Sequence, residues 1–153
     1  MSAVPTPQIH YRRMRMTDVP EVARLEKSLY EFPWSAGNFR DSVNAGYDCW
    51  AVTHGDAVMG YAILMVALDE AHLLNFAIAA EWQNQGIGRE FLRHMVEEAR
   101  SAGCQIVYLE VRPSNLPARH LYRAMGFQQI AIRPEYYPAT SGREDALFLG
   151  LAL

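Results

Sequence analysis

Cysteine is scarce in this chain: Cys49 and Cys104 are the only two among 153 residues, and both sit in apolar stretches. That argues against a disulfide-built scaffold, and both are expected as buried free thiols in a reducing compartment. An excess of positive charge is missing as well. Against 14 basic residues stand 17 acidic ones, a net charge of −3, with no basic stripe to neutralise a duplex backbone. Direct nucleic-acid binding is therefore not expected, whereas a basic peptide or protein suits the balance. No apolar run approaches the roughly 20 residues that span a bilayer. Met1 to Gln8 lack the apolar core of a signal peptide. The cytoplasm is the expected compartment, with no membrane partner. The histidines His10, His54, His72, His94 and His120 share no ligand spacing, so no metal is expected. Repeats, linkers and low-complexity tracts are also missing, which leaves residues 1–153 as one domain with hydrophobic residues enough for a full core.

What is present alternates between two periodicities. Residues 9–16 read as a first strand. Thr17 and Asp18 before Pro20, with Val22, Ala23, Leu25 and Leu29 following, have the form of an N-cap and an amphipathic helix. Phe32-Pro33-Trp34-Ser35 breaks it, and Ser35 is placed to cap a second, short helix. Cys49 to Val52, a His54-Gly55-Asp56 turn and Val58 to Ala67 make a hairpin, and Ala71 to Ala79 a further strand. From Gly86 the period becomes helical, with Ile87, Phe91, Leu92, Met95, Val96 and Ala99 on one face and Gly103 as terminator. Ile106 to Val111 reads as a strand and Ser114 to Met125 as a helix. Gln128 to Arg133 and Ala146 to Leu151 read as two last strands around a long loop. The order β-α-α-β-β-β-α-β-α-β-β predicts an α/β (α+β) domain with a mostly antiparallel sheet.

The stretch with the most chemical content is Ala79-Ala80-Glu81-Trp82-Gln83-Asn84-Gln85-Gly86-Ile87-Gly88-Arg89. A strand ends and a helix opens on a glycine pair, where unpaired N–H groups and the helix dipole favour an anion. Gly86 and Gly88 leave room for a phosphate near the main chain. A dinucleotide fingerprint needs a third small residue where Phe91 stands, and the Gly-Lys-Ser/Thr ending of a Walker loop is missing. A glycine-rich helix start with no ligand remains the plain alternative.

Gln83, Gly86 and Gly88 match the pattern Q/R-x-x-G-x-G/A, which resembles the coenzyme A pyrophosphate loop of the GCN5-related N-acetyltransferases, the GNAT superfamily. Asn115, Ala118, Tyr122, Gly126 and Phe127 supply a second pattern that is similar to that superfamily, at the expected distance. Phe32-Pro33-Trp34-Ser35, Leu109-Glu110-Val111-Arg112, Leu121-Tyr122, Tyr136-Tyr137-Pro138 and Gly142 to Ala146 resemble its RimI-type branch, the bacterial ribosomal-protein-alanine N-acetyltransferases. The resemblance runs from about residue 10 onward. It implies a mixed sheet of about seven strands with a V-shaped splay, flanked by about four helices, and acetyl-CoA as co-substrate.

By that resemblance, Gln83, Asn84, Gln85, Gly86, Ile87, Gly88 and Arg89 would hold the pyrophosphate. Phe76, Ala77 and Ile78 would pair through their main chain with the pantetheine arm, one N–H polarising the thioester carbonyl. Asn115 would reach the cofactor, although a plain helix cap explains it equally. Glu110 stands in an otherwise apolar strand, where an acid needs a partner or a role. Local sequence leaves it open between a carboxylate paired with an arginine and a proton acceptor; the resemblance implies the general base. Tyr122 reads locally as core packing, and by resemblance as the general acid. For His72, near the same strand, a structural place is expected over a part in proton transfer. Tyr136 and Tyr137, with Phe32 and Trp34, would wall a groove for a peptide N-terminus, and Glu135 and Glu144 would give it an acidic rim suited to a positively charged chain; an ordinary hairpin loop is the alternative. The implied substrate is the N-terminal alanine of a small-subunit ribosomal protein. The rivals are acetylation of a small amine, such as a polyamine or aminoglycoside, and a noncatalytic acetyl-CoA-binding module. The last needs neither Glu110 nor Tyr122.

Overall fold

The computed structural model describes residues 8–153. Its elements follow the expected order: β1 (His10–Arg13), α1 (Val19–Leu29), α2 (Ala36–Asn44), β2 (Asp48–His54), β3 (Ala57–Ala67), β4 (Glu70–Ile78), α3 (Ile87–Ser101), β5 (Ile106–Val111), α4 (Leu116–Ala124), β6 (Gln128–Ala139) and β7 (Gly142–Ala152). The seven strands form one sheet ordered β1-β2-β3-β4-β5-β7-β6. β4 and β5 are parallel, and the other neighbours are antiparallel.

Two apolar clusters clad this sheet. Ile87, Phe91, Leu92, Met95 and Ala99 put the apolar stripe of α3 against Val52, Met59, Leu64, Leu73, Val107 and Leu109, and Tyr122 and Phe127 extend the cluster toward α4. Val22 and Leu25 of α1 and Phe39 of α2 pack with Tyr61 and Ile63 in the second. Each large apolar side chain buried in this way contributes about 1.5–3 kcal/mol. Cys49 and Cys104 are free and buried within these clusters, as expected, and burial pushes the Cys49 thiol up to about 11.

Three local expectations need correction. Residues 9–16 do not form one strand: β1 stops at Arg13 and a 3-10 turn takes Met16–Asp18. Asp18 precedes α1 but does not cap it. Its carboxylate accepts from Arg12 at 2.7 and 2.8 Å and from the Arg15 N–H at 2.7 Å, stronger charge-assisted partners than a helix amide. The supposed long loop between the last strands is instead the outer half of the β6–β7 hairpin, with Tyr137↔Glu144, Pro138↔Arg143 and Ala139↔Gly142 in register. Pro134 and Glu135 fall in a register shift between Arg133 and Tyr137, which lets a proline and a left-handed Glu135 (φ 49°) sit inside a strand. Ser35 does cap α2: its hydroxyl accepts from the Asn38 N–H at 3.1 Å, while Asn38 Oδ1 accepts from the Ser35 N–H at 2.9 Å.

The functional consequence lies between β4 and β5. Their pairing covers Glu70↔Ile106, Ala71↔Val107 and His72↔Tyr108, and then ends. β4 runs on to Ile78 and β5 to Val111 without each other. Opposite β3 the register passes from Leu64↔Leu73 to Ile63↔Asn75, so Leu74 is a bulged residue. A bulge bends and twists its strand, and this one falls where Leu74 would otherwise face Glu110. That produces the V-shaped opening. β3 must meanwhile approach β4 closely: a Cβ added at Gly60 would lie 2.5 Å from the Ala77 carbonyl oxygen and 2.8 Å from Ile78 Cδ1. Gly60→Ala is expected to destabilise the fold by about 1–3 kcal/mol through this overpacking. A lower urea midpoint at unchanged m-value would show it; an unchanged midpoint would mean that β4 has room to shift.

Candidate active site

An open cleft of about 730 Å³ lies over the splay. One wall is α1 and the loop after it, with Glu26, Tyr30, Phe32 and Trp34. The floor is β4, with Leu74, Asn75 and Phe76. Glu110 and Arg112 from the end of β5, Asn115 and Tyr122 of the α4 region, and Tyr137 and Glu144 of the outer hairpin complete it.

Of the residues expected at the site, the cleft unites Phe32, Trp34, Phe76, Glu110, Asn115, Tyr122 and Tyr137. Tyr136 stays outside it, 43% exposed and edge-on to Tyr137. Ala77, Ile78 and the loop Gln83 to Arg89 also lie beyond this cleft's lining, farther along β4 and into α3. In that loop Gly86 takes φ 81° at the start of α3, a conformation that favours glycine, and among the described residues nothing lies within 4 Å of a Cβ built there. Asn84 is also left-handed at φ 61°. Gln83 donates to the Ile78 carbonyl at 2.9 Å and Gln85 to the Glu81 carbonyl at 3.1 Å, so these side chains brace the turn that presents the helix amides. Ile87 is buried under α3, Gly88 is half-buried and Arg89 exposed. Open space, unpaired helix-start amides and a free edge of β4 together fit a pyrophosphate with an extended pantetheine arm. Asn115 does cap α4: its Oδ1 accepts from the Ala118 N–H at 3.3 Å.

Glu110 is buried to 11% side-chain exposure. Its Oε2 lies 2.8 Å from His72 Nε2, and its Oε1 lies 3.7 Å from an Arg133 guanidinium nitrogen. The arginine neighbour expected for a purely structural carboxylate is thus present, but at the longer distance and half-exposed. Tyr122 is 6% exposed, its ring edge-on to Phe127. Among the described residues its hydroxyl has no hydrogen-bond partner. Burial first, then Tyr30 and Tyr137, hold its phenol well above the ordinary tyrosine value, so it keeps its proton at neutral pH. Burial and then the nearby Glu110 do the same for Tyr137.

Sequence reasoning gave Glu144 only as part of an acidic rim and passed over its partners and several other residues that shape the cleft. Arg112 donates to the Pro138 carbonyl at 2.8 Å and to Glu144 at 3.2 Å, and its guanidinium stacks 4.4 Å from the Tyr137 ring centre. Glu144 also accepts from the Ser114 hydroxyl and N–H at 3.0 Å each. The Ser114 hydroxyl, its amide and Arg112 hold the Glu144 carboxyl below its ordinary value. Thr140 donates to Glu31 at 2.7 Å, so the hairpin tip touches the α1–α2 loop across the cleft. The most buried missed group is Glu26, 3% exposed. It accepts from the Trp34 N–H at 2.9 Å, the Tyr61 hydroxyl at 2.8 Å and Asn75 Nδ2 at 3.2 Å. Glu26 pushes the phenol of Tyr30 up as well, to about 12, behind the larger effect of burial. A signal for it was present: Val22, Glu26 and Leu29 share one helix face, which puts an acid inside an apolar stripe.

A splayed parallel strand pair, a glycine-led helix start beyond it, and a carboxyl and a phenol lining one cleft define an acyl-CoA-dependent transferase architecture. The chain belongs to the acetyltransferase (GNAT) family, whose model matches residues 17–127. It is 38% identical over 140 residues to the [ribosomal protein bS18]-alanine N-acetyltransferase of Escherichia coli, covering 92% of this chain and 95% of that protein. The crystal structure of a ribosomal-protein-alanine N-acetyltransferase from Escherichia coli superposes with a TM-score of 0.89 at 36% identity, over 95% of this chain and 94% of the other. Ard1 from Thermoplasma volcanium shares the fold, with a TM-score of 0.85 at 21% identity over 95% of this chain and 97% of the other. The protein is thus a GNAT acetyltransferase. Among its described residues no helix is long and apolar enough to cross a membrane.

Glu26 holds the cleft wall to its floor, and this is testable by stability. Glu26→Ala leaves the Tyr61 hydroxyl, the Asn75 amide and the Trp34 N–H without their acceptor. The Tyr61 hydroxyl is then a fully buried orphan, at about 1–3 kcal/mol, while Trp34 and Asn75 line the open cleft and can find water, so the expected loss is about 1–3 kcal/mol in urea unfolding. A loss under about 0.5 kcal/mol would mean that the three donors find other partners.

Proposed function

We propose that this enzyme, as a single catalytic domain over residues 1–153, transfers acetyl from acetyl-CoA to the N-terminal α-amino group of a protein. Its substrate is the N-terminal alanine of ribosomal protein bS18, in the cytoplasm. The observation that carries the chemistry is the meeting of Glu110 and Tyr122 in one cleft at the open end of the β4–β5 pair. The substrate is supported by the 38% identity to the Escherichia coli bS18-alanine enzyme over nearly the full length of both chains.

An α-amino group titrates near 8, so at neutral pH it arrives mostly as ammonium and cannot attack. The Glu110 carboxylate takes that proton, directly or through one water. The freed nitrogen attacks the thioester carbonyl carbon, and a C–N bond forms as the carbonyl oxygen gains charge. An N–H on the free edge of β4, at Phe76, Ala77 or Ile78, steadies that oxyanion. The C–S bond then breaks as the nitrogen, which still carries one proton too many, releases it to water, and Tyr122 supplies a proton to the leaving sulfur and recovers one from that water. A thiol titrates near 8.5, below a buried phenol, so full transfer from Tyr122 runs uphill. Much of its contribution is therefore a hydrogen bond to the developing thiolate. The pyrophosphate rests on the amides around Gly86 and Gly88, braced by Gln83 and Gln85 and flanked by Asn84, Ile87 and Arg89, while Asn115 offers its amide N–H groups to the cofactor. Phe32, Trp34 and Tyr137 enclose the peptide N-terminus, with Tyr136 at the outer rim.

The test is a mass-spectrometric screen with acetyl-CoA, pitting peptides that begin with the bS18 sequence against polyamines and aminoglycosides. Acetylation of the peptide α-amine is expected to dominate. Glu110→Gln should lower turnover by about 10²–10⁴ and Tyr122→Phe by about 10², each with the melting temperature nearly kept. Acetylation confined to free amines would reject the N-terminal substrate, and full activity in both variants would reject the assigned roles.

A further inference from the structure

The chemistry above accounts for Glu110 but not for what orients it. The main-chain ladder between β4 and β5 ends at His72↔Tyr108. Glu110 lies two residues further along β5, on the same strand face as Tyr108, so its side chain is reached diagonally from His72. There His72 Nε2 stands 2.8 Å from Glu110 Oε2, with side-chain exposures of 22% and 11%. One side-chain bond thus bridges the apex of the V at the point where the backbone bonds stop.

We propose that His72 is a positioning residue of the acetyl transfer: its Nε2–H donates to Glu110 Oε2, fixing the carboxylate so that Oε1 faces the cleft and meets the incoming amine. The inference rests on Glu110 acting as the base. An ionised carboxylate can only accept, so the hydrogen must sit on Nε2. Charge-assisted bonds of this length are the strong ones. Arg133, the other neighbour, is 3.7 Å from Oε1, beyond hydrogen-bond length. Its half-exposed guanidinium lies 4.8 Å from the Phe148 ring centre and 5.8 Å from that of Tyr136. Oε1 therefore remains available while Oε2 is held. The same bond ties the last paired residue of β4 to the first functional residue of β5, so the carboxylate keeps its place relative to the free edge of β4.

The experiment compares wild type, His72→Leu, His72→Gln, Glu110→Gln and the His72→Leu/Glu110→Gln double variant on an alanine-first peptide at saturating acetyl-CoA. His72→Leu is expected to lower kcat by about 10- to 100-fold, the cost of a misplaced catalytic group. Peptide KM, CoA affinity and melting temperature should stay near wild type. His72→Gln, whose amide N–H can reach Oε2, should recover most of that loss. In the double variant, turnover should fall no further than in Glu110→Gln alone, because His72 acts through Glu110. Unchanged turnover in His72→Leu, losses that multiply in the double variant, or a His72→Gln variant no better than His72→Leu would each overturn the proposal. The last would mean that an ionisable ring is required in place of a fixed donor. If wild type acetylates free amines and not the peptide, the N-terminal reading fails on its own. The same variants, measured on that amine, then decide the role of His72.

Discussion

The interruption of the parallel β4–β5 pair is the constraint on which the other features depend. A free strand edge inside a sheet is costly, because its N–H and C=O groups need partners. Here the bulge at Leu74 forces the separation, and the rest of the molecule keeps the gap open without letting it fall apart. β3 holds β4 from one side, with Gly60 permitting close approach. β7 holds β5 from the other through Val111. The edge is left facing the cleft, and β4 runs on past it toward the glycine-led start of α3. In the proposed binding mode, an extended ligand with a thioester at one end and phosphates at the other would satisfy both sets of unpaired groups at once.

Around that opening, polar groups are buried in ways that tie elements together. Glu26 costs several kcal/mol to desolvate, and three hydrogen bonds offset much of that while joining α1, the Trp34 loop, β3 and β4. Arg112 and Glu144 do the equivalent on the opposite wall, clamping the hairpin to the end of β5 and the Ser114 turn. The cleft therefore has two walls fixed by independent networks, joined at the rim by Thr140 and Glu31. Such preorganisation limits the reorganisation needed when a ligand enters.

Most of the fold was legible because its signals are local. The 3.6-residue stripe of α3 depends on burial against a single face, and the unbroken apolar run of β3 on burial against both. The glycine at position 86 reports a left-handed backbone that few other residues tolerate. The outer hairpin was not legible. Pro134, Pro138 and Gly142 look like loop residues, and they become strand through bonds from Arg112 to Pro138 and from the Glu135 N–H to Asp145. The Asp18 cap failed for a similar reason, since Arg12 from the preceding strand claims the carboxylate. Of the candidate site, Glu110 and Tyr122 were singled out by their resemblance to the family pattern, and the fold brings both to one cleft. The contact of His72 with Glu110 depends on the register of strands far apart in sequence, which no local pattern encodes. Glu26 could have been found, as an acid in a buried helical stripe.

The most direct measurement is amide hydrogen exchange, residue by residue, with and without CoA. If the open β4–β5 edge and the α3 start form the coenzyme slot, protection should rise at Phe76, Ala77 and Ile78 and at the amides from Gln85 to Arg89, with β1 and β2 unchanged. Protection confined to a second groove, between α4 and β6 near Arg119 and Gln129, with β4 unaffected, would contradict it.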